Sequence, residues 1–442
     1  MSTSERREIV ILGAGFGGAY AARELARQFP RSEEARITLV DRNNYLLFTP
    51  MLTEVVGDQI DDRHVVSAIR RLSPRITFEQ GRVENVDLAA KRVTVVVGGN
   101  EAGIPERHKT LEADHLVLAL GSVTNFHGIP GVEEHALTLK TVGDAAEIRN
   151  RALVLLERAD AEPDAERRRA LLTFVVGGGG YSGVETMAAL NDLVRDAAKN
   201  YTHVDAADVR AIIVEPTKRL LPELSASLAA YTTSKLRERD VEIIVGKGVT
   251  GAGEDYVEVE GRGRIPTHLF IWTAGVTPSP LVETLDCKRG KHGGIVVDAC
   301  CAVLERPGVW ALGDCAEVPN TGKGGKGQTY TMTAQNATRE GALVGRNIAA
   351  VLRGERPKPF RYTPIGELAL VGKRSGVAEV YGLRFSGLIA WAMWRAIYLA
   401  KLPLMRNRIR VGLDWILDVA LGREIAELPV SRSTLSAGET GS

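Results

Sequence analysis

Two glycine runs carry the chemistry most readily read from this chain. The first is Gly13-Ala14-Gly15-Phe16-Gly17-Gly18, which fits the spacing GxGxxG. A strand-like run, Ile9 to Leu12, leads into it and a helix-like run, Ala19 to Gln28, leaves it. Gly13 permits a tight turn, Gly15 lets backbone approach a pyrophosphate, and Gly18 lets helix and strand pack closely. Free N–H groups at the helix start suit phosphate oxygens. Asp41 ends the next apolar run, where a carboxylate can accept ribose hydroxyls. The second run is Gly177 to Glu185, with Gly178, Gly180 and Gly183 in the same spacing. Glu215 ends its following strand, 32 residues past Gly183. The charged stretch 192–208 reads as a surface extension that accounts for this long gap. Glu215 would repel a 2′-phosphate and favours NADH over NADPH, although Lys218 and Arg219 lie beside it.

Each run sits in a strand–turn–helix–strand unit, one over 8–40 and one over 172–215. Two such units imply two dinucleotides, for instance a bound flavin and an exchanging nicotinamide, with positioning as the protein's task. Leu116 to Leu120, ending at Gly121, and Leu269 to Trp272 read as further buried strands, and Arg92 to Val97 alternates like a strand. The alanine-rich stretch 144–171 reads as a helical connection. Residues 318–329 read as an exposed loop and 430–442 as a disordered tail.

Composition excludes several classes. With 44% hydrophobic and 25% charged residues and a net charge of +1, the chain is globular with no global attraction to nucleic acid. The four cysteines, Cys287, Cys300, Cys301 and Cys315, form no CxxC pair, and no histidine cluster suggests a metal. A reducing compartment is expected. The polar start MSTSERRE does not read as a signal peptide, and no apolar run is long enough for a transmembrane helix.

A third motif, Gly313-Asp314, follows the apolar run Val309 to Leu312. Alone, Asp314 reads as a helix cap more readily than as a ligand contact. Glu185, in the first turn of its helix, alone reads as a complement to the helix dipole as readily as a site residue. The segment 384–410 carries Arg384, Arg395, Lys401, Arg406, Arg408 and Arg410 with no acid, and interleaves Trp391, Trp394 and Tyr398. This pattern suits an anionic bilayer surface or, equally, a helical hairpin packed on the body or in a dimer.

Taken together, GAGFGG, GGGGYSGVE and ALGDCA resemble the two-dinucleotide-binding flavoprotein superfamily. Finer stretches resemble the type II NADH dehydrogenases, the non-pumping NADH:quinone oxidoreductases. These are VDRNNYLLFTPML (40–52), LKTVGDAAEIRN (139–150), WTAGVTPSP (272–280), TAQNATREG (333–341) and RNRIRVGLDWILD (406–418). The resemblance implies an α/β fold of two Rossmann-like domains, the second inserted in the first, plus a C-terminal helical membrane-associating segment. It implies an FAD domain over 1–125 and 285–355, an NADH domain over 126–284, and a membrane-associating or dimerising domain over 356–430. FAD would lie on Gly13, Gly15, Phe16, Gly17, Gly18, Asp41, Arg42, Val83, Gly121, Gly313, Asp314, Ala334 and Gln335. NADH would lie on Gly178, Gly180, Gly183, Glu215, Ala274 and Gly275. Glu185 and Gln335 match residues beside flavin and quinone. Where the family carries a second glutamine, this chain has Arg339, one helical turn from Gln335. Quinone, an anionic membrane at its cytoplasmic face and a homodimer are the implied partners. The absent cysteine pair argues against disulfide and sulfide chemistry. Two other readings stand beside this one: a soluble NAD(P)H-dependent reductase of a ferredoxin-like carrier, and an NADH-sensing signalling flavoprotein.

Overall fold

A computed structural model describes residues 6–99, 104–322, 327–423 and 425–426. The tail 430–442 and part of the loop 318–329 lie outside the described residues. Backbone contacts divide the chain into two compact units. The first runs to Leu47 and adds Val66–Val123 and Val276–Pro364. The second comprises Phe48–Val65, Thr124–Gly275 and the chain from Ile365 on.

The first unit is built on a parallel sheet in the order Val309–Ala311, His115–Leu118, Arg7–Leu12, Ala35–Asp41, Ile76–Gln80. Its inner strands are buried on both faces, which is why they read as continuous apolar runs. The register sets Leu12 beside Val40 and Leu118, so the glycine turn leaves from the carboxyl edge of the sheet. Helix Phe16–Gln28 follows that turn and packs against helix Ala334–Leu352. Their approach is closest at Gly341, where an added Cβ would lie 2.1 Å from the carbonyl oxygen of Gly17. Strands Arg82–Asp87, Arg92–Val97 and Arg107–Glu112 make a separate antiparallel sheet.

The second unit repeats the plan. Its parallel sheet runs Val241–Val245, Arg210–Glu215, Thr173–Gly177, Leu269–Trp272. The helix after the second glycine turn extends over Tyr181–Ala198. The expected surface extension at 192–208 is therefore partly helix. Leu193, Val194, Ala197 and Ala198 continue its buried stripe, and only the residues beyond Ala198 form the excursion. The stretch 144–171 is helical as read, over Val142–Ala161 and Ala165–Leu171. A capping box between Thr141 and Asp144 starts the first of these.

From residue 366 the chain forms an antiparallel sheet of Gly366–Gly372, Ser375–Val380 and Leu383–Ser386, then helices Gly387–Lys401 and Met405–Leu421. The small sheet has no counterpart in the sequence reading. Its turns set Arg374 and Tyr381 at positive φ beside Gly372 and Gly382, a glycine signal that the sequence reading passed over.

Gly341→Ala forces the two helices of the first unit apart. It should destabilise the protein by about 1–3 kcal/mol, as read by thermal unfolding. A native melting temperature would mean that the helix contact tolerates a methyl group.

Candidate active site

In the first unit, the turn at Gly13 bends at φ +96°. A Cβ on Gly18 would lie 1.8 Å from the Gly13 carbonyl oxygen, so helix and strand meet there without room for a side chain. Gly15 differs, since a Cβ there would meet nothing within 4 Å. It is the N-cap of helix Phe16–Gln28, and no side chain caps it. Open space above uncapped N–H groups fits a dinucleotide pyrophosphate. Asp41 accepts the Ala14 N–H at 2.6 Å and the Asn43 N–H at 2.8 Å. Burial pushes its carboxyl up, against these two hydrogen bonds.

Asp314 lies in a short helical turn, Gly313–Cys315, that it does not cap. Instead its carboxylate accepts the Ser122 hydroxyl at 2.7 Å, next to Gly121. Glu340 accepts the Gly313 N–H at 2.7 Å, and burial pushes Glu340 up to about 7. Sequence reasoning did not single out Ser122 or Glu340. Glu340 follows Gln335 by five positions on the same helix, a signal legible only once the helix is known to meet the Gly313 turn. Val83 lies opposite Val95 in the antiparallel sheet. Arg42 follows the Asp41 strand end, and its carbonyl accepts the Gln80 side chain.

Ala334 and Gln335 open helix Ala334–Leu352. Gln335 Oε1 accepts the Tyr362 hydroxyl at 2.9 Å. Arg339 donates to the Gln335 main-chain carbonyl at 2.9 Å and lies over the Tyr362 ring, 4.0 Å from its centroid.

In the second unit, the geometry of the first turn recurs. Gly178 has φ +114°, and a Cβ on Gly183 would lie 1.8 Å from the Gly178 oxygen. A Cβ on Gly180 would meet nothing within 4 Å. Glu215 accepts the Gly179 N–H at 2.6 Å and the Thr217 N–H at 2.8 Å. Thr273 Oγ1 donates to the Gly177 carbonyl at 3.0 Å and so ties the Ala274-Gly275 turn to the glycine turn. His127 donates Nε2–H to the Ala274 oxygen at 2.9 Å. Arg219 spends its guanidinium on the carbonyls of Pro222 and Leu224, so its hydrogen bonds serve its own loop.

The same unit buries two carboxylates. Glu185 Oε1 accepts the Leu370 N–H at 2.8 Å and the Trp394 indole N–H at 3.1 Å. Burial pushes it up to about 8. Glu54, which the sequence reading missed, accepts Arg395 at 3.5 Å and the Trp415 indole at 3.0 Å. Burial pushes Glu54 up to about 7, although Arg395 opposes the shift. Consecutive residues of one helix thus hold carboxylates on two other elements.

This corrects the reading of the C-terminal aromatics. Trp394 and Trp415 point inward as hydrogen-bond donors. Arg395 is buried too, with its guanidinium carbon 4.3 Å from the Trp391 ring centroid. The outward face is aliphatic: Leu388, Ile389, Met405, Ile409, Leu413 and Ile416 are exposed. Exposed Arg406 and Arg410 accompany it. No helix of the described residues is long and apolar enough to cross a membrane.

Comparison with known proteins agrees with this geometry. Residues 7–341 match the pyridine nucleotide-disulphide oxidoreductase family, and residues 365–424 match the NDH2 C-terminal domain. A probable NADH dehydrogenase of Dictyostelium discoideum is 30% identical over 96% of this chain and 91% of its own length. The type II NADH:quinone oxidoreductase Ndh of Mycobacterium tuberculosis is 30% identical over 93% of this chain and 87% of its own. The fold matches a structure of NDH2 from Plasmodium falciparum with NADH at TM-score 0.86 and 19% identity, covering 95% of this chain and 100% of that one. The chain belongs to the pyridine nucleotide-disulphide oxidoreductase family and, within it, to the type II NADH dehydrogenases. Its first cysteine is Cys287, so no cysteine pair follows the first glycine turn to do the disulfide chemistry of the wider family name.

Glu54 and Glu185 have an ordinary value of 4.5 and are raised in the fold. Unfolded chains therefore ionise first as pH rises. The stability these groups contribute is full below that ordinary value and is lost as pH climbs through about 7 and about 8. Glu185→Gln keeps an oxygen for Leu370 and Trp394 but cannot ionise. Its melting temperature should fall less than the native protein's on going from about pH 5 to about pH 9. Superimposable calorimetric profiles would mean that Glu185 ionises in the fold without cost.

Proposed function

We propose that the protein is an FAD-dependent NADH:quinone oxidoreductase that works without proton pumping. The observation that carries this reading is the pair of glycine turns, each open above Gly15 or Gly180 and each closed by its own strand-end carboxylate. The first unit is assigned FAD and the second NADH. Held there, the flavin would supply the two-electron chemistry that takes hydride from NADH and passes electrons onward.

The chain's residues then have distinct tasks. Gly13, Gly15, Phe16, Gly17 and Gly18 admit the FAD pyrophosphate, while Asp41 and Asp314 receive its ribose and ribityl hydroxyls. Arg42, Val83, Gly121, Gly313 and Ala334 line its approaches. Gly178, Gly180 and Gly183 admit the NADH pyrophosphate, Glu215 takes its ribose hydroxyls, and Ala274 and Gly275 border it. Glu215 brings negative charge where NADPH would carry a phosphate, which favours NADH.

Quinone reduction consumes two electrons and two protons, while NADH supplies two electrons and one proton as hydride. One more proton must come from the protein or solvent. Glu185 is protonated at neutral pH and leaves Oε2 without a hydrogen-bond partner among the described residues. It is the group assigned to that proton. Gln335 is assigned a hydrogen bond to the acceptor.

The aliphatic face of the last two helices, with Arg406 and Arg410, is assigned to the anionic cytoplasmic face of a membrane, where quinone resides. The domain limits 1–125 with 285–355, 126–284 and 356–430 belong to the same proposal, as does a homodimer.

The purified protein should oxidise NADH rapidly only when a quinone is supplied. It should also sediment with anionic liposomes. A variant with Ile409, Leu413 and Ile416 changed to glutamate should stay in the supernatant while oxidising NADH with a water-soluble quinone. NADH oxidation indifferent to every quinone would reject the acceptor, and liposome binding by the triple variant would reject the docking face.

A further inference from the structure

Arg339 has no carboxylate partner among the described residues. Its contacts are the Gln335 carbonyl one turn back and the face of Tyr362. A guanidinium over a phenol ring is attracted to the ring's negative face, and its planarity suits stacking. Tyr362 is in turn held at its N–H by the Tyr330 hydroxyl, 3.2 Å away. Its own hydroxyl donates to Gln335 Oε1.

A carboxamide has one accepting end and one donating end. Tyr362 occupies the accepting end of Gln335. The two N–H bonds of Nε2 are left as the presented end, with no protein partner among the described residues. The position matters because this helix start abuts the first glycine turn. A Cβ on Gly313 would touch Ala337, and one on Gly17 would lie 3.6 Å from the Ala337 oxygen.

We propose that Arg339 is a positioning residue that clamps Tyr362, and that Tyr362 locks the Gln335 carboxamide with Nε2 as the hydrogen-bond donor to a carbonyl oxygen of the acceptor. The choice of acceptor rests on the quinone reading above. The clamp itself rests on the geometry of the three side chains. Arg339 then acts on specificity without touching the acceptor, and the acceptor must present a carbonyl, not a donor group, at this point. An unlocked carboxamide would present either end.

The test uses the FAD-loaded full chain with Arg339→Gln, Arg339→Lys, Tyr362→Phe and the double variant Arg339→Gln/Tyr362→Phe. Gln at 339 is polar but puts no cation over the Tyr362 ring. Phe at 362 keeps the ring but loses the hydroxyl. The first readout is titration with a short-chain benzoquinone, followed by flavin absorbance, together with KM and kcat for it. Arg339→Gln and Tyr362→Phe should each raise Kd and KM about fivefold, the loss of one neutral hydrogen bond. The double variant should lose no more than the larger single loss, since both break one linkage. Arg339→Lys, which keeps a cation over the ring, should restore most of the affinity. The second readout needs no acceptor. In protein labelled with 15N-glutamine, the Gln335 side-chain amide signals should move in Arg339→Gln as they do in Tyr362→Phe.

Native affinity in both single variants, or losses that multiply in the double variant, would overturn the clamp. So would Gln335 amide signals that ignore Arg339. Amide signals that respond as expected in a protein that binds no quinone would leave the clamp standing and reject the quinone reading.

Discussion

The N–H groups of Ala14 and Gly179 each point into a carboxylate at the carboxyl end of the neighbouring parallel strand. Much of the structure follows from this constraint. The residue between the first two glycines must turn its N–H away from the phosphate side, and an acid one strand over receives it. A charge-assisted hydrogen bond of this kind contributes about 1.5–3 kcal/mol. It sets the loop and the strand-end acid in one step, so neither can drift independently. Asn43 and Thr217 supply the second N–H to each acid. The same device therefore stands at both turns, in units whose remaining elements differ.

A second principle is that buried charge is placed where tryptophan and backbone can receive it. Glu185 is met only by neutral N–H groups on one oxygen, while Glu54 has both an indole and a guanidinium. Desolvation raises both, with Glu185 the higher. Both acids seat the C-terminal segment, Glu54 through Arg395 and Trp415, and Glu185 through Leu370 and Trp394. Seating those helices turns their tryptophans inward and leaves aliphatic side chains outside.

The parts legible in the sequence were those governed by local rules. Glycine spacing, strand-end acids and apolar runs located both sheets and both turns, because a parallel strand buried on two faces leaves a continuous apolar signature. The cysteine count separated this chain from disulfide chemistry without any structure. Contacts made at long range were not legible. Ser122 reaches Asp314 and Glu340 reaches Gly313 across folded elements, and nothing near them in sequence marks them as partners. Tryptophan type alone left the reading of 384–410 open between a bilayer and a packed hairpin, since an amphipathic ring serves an interface or a buried acid equally well. The small sheet at 366–386 went unread although Gly372 and Gly382 mark its turns, because its strands are short and only partly buried.

The division of labour between the two turns is tested most directly by Asp41→Ala and Glu215→Ala, purified side by side. Flavin content is read from absorbance, and NADH affinity from the concentration dependence of flavin bleaching without oxygen. A double dissociation is expected. Asp41→Ala should lose flavin on purification. Glu215→Ala should keep its flavin and require roughly tenfold to a hundredfold more NADH to bleach it. Loss of flavin from Glu215→Ala with native flavin content in Asp41→Ala would contradict the assignment of the two turns.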